Sequence, residues 1–164
     1  MEEKKLVVDG IRFTYNGPFD IIEFHREIDR WMERKHFEKE IKKKQEQVEL
    51  DHKKLEYVFE LWHKTNNYII VVVRMKAFFD NVVDFEMERH GHKRMLQKGS
   101  VLIVFDGFLE ENIDDWWGQK PWWAFFKAII DKYLKHFWWN AHDSHVVEPT
   151  YDLYDTLYKF FRRH

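Results

Sequence analysis

Few residues in this chain are equipped for chemistry, and they are unevenly placed. Cysteine is absent and serine occurs only at Ser100 and Ser144. Thiol catalysis, zinc fingers and iron–sulfur clusters are thereby excluded, and a serine nucleophile has almost nowhere to sit. Among the ten histidines, His142 and His145 flank Asp143, and His136 lies six residues before His142. Two imidazoles and a carboxylate on one segment can supply three metal ligands and leave a coordination position open. His-x-x-His is equally the pattern of an ordinary polar loop, so the sequence calls for no metal and no cofactor. Asp106 before Gly107, Glu110-Glu111 and Asp114-Asp115 are carboxylate candidates, whose proton affinities would separate in an apolar cleft. They fall in connecting segments, where solvated acids are the default. His90-Gly-His92 reads as a hairpin tip, and no phosphate-binding glycine loop, Gly-x-Ser-x-Gly elbow or zinc-protease helix appears.

Tryptophan offers more. Six of the eight tryptophans form three adjacent pairs, Trp116-Trp117, Trp122-Trp123 and Trp138-Trp139. Adjacent helical residues point about 100° apart, so both members of a pair cannot face one core. Indole favours the boundary between an apolar body and a wet rim, as at a ligand cavity or a partner surface. Trp122, Trp123, Phe126, Ile130 and Tyr133 are the expected lining of such a site, with Trp138 and Trp139 as exposed flanks. Bilayer contact is disfavoured because the polar face of this segment lacks the dense Lys/Arg of an interfacial helix.

The elements that must position these residues follow from periodicity. Ile11, Phe13 and Tyr15 alternate with polar residues in a first strand expected to end at Asn16-Gly17-Pro18. Asp20 is placed to cap a helix over about 21–36, with Glu23 able to reach back and Ile21, Phe24, Ile28, Trp31 and Met32 on one face. From residue 40 the period becomes two. Turn-like groups at Asp51-His-Lys, Thr65-Asn-Asn67, Asp80-Asn81, His90-Gly-His92 and Lys98-Gly-Ser100 divide an antiparallel meander of about six strands. Residues 41–50 are open between strand and helix extension, and Lys42-Lys43-Lys44 among glutamates suits a solvated or edge strand. Pro121 opens a long helix over 121–139 that packs on the sheet. A loop over 140–149 then leads to a short final helix capped by Thr150, with Tyr151, Tyr154, Leu157, Tyr158 and Phe161 as its stripe.

The fold class is therefore α+β in one domain spanning 1–164. The order of elements is similar to the helix-grip arrangement of Bet v 1 and START-type domains, which implies a curved sheet wrapping a long helix around an apolar cavity. Val7-Val-Asp-Gly-Ile-Arg-Phe13, Lys98-Gly-Ser-Val-Leu-Ile-Val-Phe-Asp-Gly107 and Tyr133-Leu134 also resemble small uncharacterised archaeal proteins, a likeness that carries no activity. With 27 basic and 29 acidic side chains interspersed, there is no electrostatic footprint for nucleic acid. No apolar run approaches the roughly 20 residues of a membrane span, no signal peptide is evident, and the lack of cysteine fits the cytoplasm. The expected function is non-catalytic binding of an apolar small molecule or lipid in a sheet–helix cavity. The alternative is a protein-interaction or oligomerisation module using the Trp pairs, and a cavity enzyme ranks third.

Overall fold

A computed structural model describes residues 3–65, 69–111 and 144–163. Five strands, β1 (Glu3–Phe19), β2 (Glu38–Val48), β3 (Lys53–Lys64), β4 (Ile69–Arg89) and β5 (His92–Glu111), form one antiparallel sheet in the order β1-β5-β4-β3-β2. Helices α1 (Ile21–Lys35) and α2 (Ser144–Arg162) lie on one face of it. The α+β class and the antiparallel sheet agree with the periodicity; the described residues hold five strands where about six are expected, and several boundaries differ. The expected 121–139 helix and the six tryptophans of residues 116–139 lie outside the described residues.

β1 runs through Asn16-Gly17-Pro18 instead of stopping there, because Gly17 and Pro18 pair with Gly99 and Lys98 of β5. Likewise Asp80-Asn81 makes no turn. Asn81 takes a left-handed φ of 52° and the ladder shifts register between Asp80 and Val83, so β4 bends at a bulge and continues. Lys98-Gly-Ser100 and Asp106-Gly107 also lie within β5. Gly10 sits in a β1 bulge whose N–H donates to Asp106 Oδ1 at 2.7 Å, so the Asp106 carboxylate is occupied in closing the sheet. The true hairpin turn between β4 and β5 is His90-Gly91, both with positive φ, as a two-residue turn requires.

Asp20 caps α1 as expected, accepting from the backbone N–H of Ile22 at 3.0 Å and of Glu23 at 3.3 Å. Glu23 pairs with Arg26 and Arg30 rather than reaching back, and the hydrogen bond from Arg26 leads the effects that hold its carboxyl below the usual range. Phe24, Ile28 and Trp31 are buried, each worth about 1.5–3 kcal/mol of removed apolar surface. His36 ends α1 in the left-handed conformation, and the chain enters β2 at Glu38. Residues 38–48 are thus strand. They form the edge of the sheet with almost every side chain exposed, which accounts for a run too polar to read by burial.

Buried Asp20 and Gln97 tie the start of α1 to the β4–β5 hairpin. Arg94 reaches Asp20 Oδ2 at 2.7 Å, Gln97 Oε1 accepts from the Ile21 N–H at 2.8 Å, and Gln97 Nε2 donates to Asp84 at 3.1 Å. Lys53 adds a contact to Asp84 at 3.1 Å. Burial opposes ionisation of Asp84, but the bonds from Gln97 and Lys53 outweigh it and hold its carboxyl below the ordinary range. Asp20→Ala removes the cap and strands the Arg94 guanidinium; urea denaturation should show a loss of about 1–3 kcal/mol, with Arg94→Ala costing less.

Among the described residues α2 spans Ser144–Arg162, so residues 144–149 are helical rather than loop. Thr150 does not cap it. Fully buried within the helix, it donates its hydroxyl to the Val146 carbonyl at 2.7 Å. Val146, Thr150, Leu153, Leu157, Phe160 and Phe161 are the buried stripe, leaving Tyr154 and Tyr158 partly covered and Tyr151 exposed. The space between the sheet and these two helices is filled by rings, with Phe13, Phe19, Phe24, Phe79, Phe105 and Phe161 at its centre.

Candidate functional site

Because side chains alternate along a strand, the residues between the core positions form a second sheet face turned away from α1 and α2. Cross-strand register arranges it in rows. One row holds Trp62, Val72, Phe108 and Leu6; the next holds Glu60, Arg74 and Asp106. Arg74 donates to Glu60 at 2.8 Å and its guanidinium carbon lies 4.8 Å from the Phe108 ring centre, so its charge is balanced by the carboxylate and the ring face.

Two lower rows form a trough. Gln45, Glu56, Phe78, Leu102 and Thr14 are successive cross-strand partners, and beside them run Gln47 with Lys54 and Asp80 with Ser100 and Asn16. Five strands at about 4.8 Å spacing give a trough about 19 Å long. Its β1 side is a depression of about 480 Å³ lined on this face by Thr14, Asn16, Phe78, Asp80, Ser100 and Leu102, and it also takes in Tyr15, Val101 and Arg162 from the helix side of the sheet. Its β2 side is a smaller one of about 150 Å³ bounded by Gln45, Gln47, Lys54 and Glu56. Phe78 and Leu102, both half-buried, make an apolar floor; amides, hydroxyls and the Lys54–Asp80 pair at 3.6 Å make the rim. Arg162 stands at one end, 4.6 Å from the Tyr158 ring centre. Such a lining offers apolar contact, neutral hydrogen bonds and the charged groups of Lys54, Glu56, Asp80 and Arg162.

The candidates singled out in the sequence fare differently. Trp122, Trp123, Phe126, Ile130, Tyr133, Trp138 and Trp139 lie outside the described residues, as do His136, His142 and Asp143. His145 is exposed in the first turn of α2. Glu110 pairs with Lys4 at 3.0 Å, and Asp106 serves the Gly10 bulge. Among the described residues, no three histidines or acids come together as a metal-binding set. Nor is any helix among them long and apolar enough to cross a membrane. Reasoning from the sequence missed the trough because its rows are assembled across all five strands. Only the alternation within each strand was visible beforehand. No family model, no curated protein and no solved structure matches this chain.

Proposed function

We propose that the protein is a non-catalytic binding domain and that the trough takes an amphiphilic, largely apolar small molecule. The supporting observation is a half-buried Phe78–Leu102 floor beneath a depression of about 480 Å³ rimmed by hydroxyls, an amide, Asp80 and Arg162. That size and mixture suit a small-molecule site, whose apolar floor supplies affinity and whose few polar groups supply orientation. The space under α1 and α2 is filled by side chains, and the expected cavity beneath residues 121–139 lies outside the described residues, so the proposed site is on this face. Calorimetric titration with dodecanoate and with dodecanol tests the proposal. Saturable binding is expected, weakened about tenfold or more by Leu102→Asp, equivalent to about 1.4 kcal/mol. No saturable binding, or binding indifferent to Leu102→Asp in a variant whose circular dichroism is unchanged, overturns it.

A second reading, an interaction or self-association module, is favoured by the hairpin arm of β4 and β5 beyond the bulge, where Val83, Met87 and Met95 are exposed. Light scattering that stays at monomer mass across concentrations rules out self-association through this arm.

A further inference from the structure

His25 lies where α1 meets the edge of the sheet. Its half-buried ring meets Tyr57 at 4.8 Å between centroids, with planes at 85°, and Phe59 at 6.0 Å. Phe24, the preceding residue of α1, is 5.3 Å away. Edge strand β2 brings two cations to this seam. Lys39 lies 5.3 Å from the Phe59 ring centre and 3.1 Å from Asp29 Oδ1, while Lys44 is the cross-strand partner of Tyr57. Asp29, one turn along α1, is the acid that favours a charged His25, and it is already engaged by Lys39. Glu46 of β2 acts on Tyr57, whose hydroxyl is pushed up first by burial and then by that carboxylate.

We propose that the seam between α1 and the β2–β3 edge is an acid-sensitive latch with His25 as its trigger. Protonation sets a third cation in a half-buried seam beside two lysines. α1 and β2 then loosen while the central strands stay folded.

The direction follows from the surroundings. Burial first, then Lys39 and Lys44, hold the folded imidazole below its ordinary range, and Asp29 opposes them. A depressed folded value means that the folded state binds fewer protons than the unfolded one. The contribution of neutral His25 is therefore complete above the ordinary imidazole range and disappears as pH falls through the lowered folded value. Opening is local because, among the described residues, β2 pairs with β3 alone and buries almost nothing.

Amide hydrogen exchange of the full chain at about pH 7.5 and about pH 5, corrected for intrinsic rates, reads this directly. Residues 21–35 and 38–48 are expected to lose protection several-fold at the lower pH while residues 101–109 keep theirs. His25→Phe abolishes the selective loss. Lys44→Gln leaves the ring contacts in place and moves the His25 titration, followed by NMR, upward together with the opening; it keeps the test valid should His25→Phe not fold. A loss spread evenly over the sheet, the same selective loss in His25→Phe, or a folded His25 that titrates like a free imidazole overturns the proposal.

Discussion

Phe161→Ala is expected to remove about 3–5 kcal/mol of stability, the range for deleting a buried aromatic ring. Phe161 is fully buried in the last turn of α2, and its ring packs against two other elements, β1 and α1. Its centroid lies 5.2 Å from Tyr15, 5.9 Å from Phe13 and 6.0 Å from Phe19 on β1, and 5.7 Å from Phe24 on α1. A domain of this size holds about 5–15 kcal/mol in total, so one truncation consumes a large share. The cavity left behind cannot collapse easily, because β1 is fixed by its ladder to β5 and α1 by its cap. Guanidinium denaturation followed by circular dichroism gives the value. Tyr151→Ala, on the exposed side of the same helix, should change it by less than about 0.5 kcal/mol. A Phe161→Ala loss no larger than that of Tyr151→Ala would mean that α2 does not pin β1 to α1.

Gly107→Ala is the second large effect, and its sign runs against backbone propensity. In an ordinary strand, alanine stabilises relative to glycine by about 0.5–1 kcal/mol through reduced freedom of the unfolded chain. Here a Cβ on Gly107 would lie 2.6 Å from Thr150 Oγ1 and 2.7 Å from Val146 Cγ1. Both atoms belong to fully buried residues in the first turns of α2, so the helix must back away from the sheet. Overpacking of this kind costs about 1–3 kcal/mol and should exceed the entropic gain. Repeating the substitution in a Val146→Ala background removes one of the two obstructions. A double-mutant cycle by urea denaturation should then show favourable coupling of at least about 0.5 kcal/mol. Strict additivity would place the strain somewhere other than the α2–β5 contact.

These two positions show how unevenly the fold can be read from the chain. Phe161 was legible as one member of a stripe with Tyr151, Tyr154, Leu157 and Tyr158, because helical spacing repeats within a single segment. Its role as the meeting point of β1, α1 and α2 was not, since that depends on elements well over a hundred residues away. Asp106 and Gly107 look like part of a connecting segment because glycine after aspartate commonly marks a turn. The bend is absent because Asp106 bonds to Gly10 and Gly107 makes room for α2. Asp80-Asn81 failed for a related reason, as a bulge uses the same left-handed asparagine that a turn would. Thr150 resembles a helix cap by residue type, but the hydrophobic docking of Val146 extends α2 one and a half turns before it.

What the sequence determined by itself is local: α1 with its Asp20 cap and buried Phe24, Ile28 and Trp31, the alternation of Leu55, Tyr57, Phe59 and Leu61, and the hairpin tip at His90-Gly-His92. Each depends on interactions among residues a few positions apart, so periodicity and capping chemistry suffice. Tertiary structure decided which turn-like residues bulge instead of turning, that residues 144–149 belong to α2, and which side chains line up across five strands into the Phe78–Leu102 trough. It also brought His25 against Tyr57 and Lys44. Those outcomes rest on register and close approach between distant segments, where a single hydrogen bond such as Gly10 to Asp106, or the absence of one Cβ at Gly107, outweighs local preference.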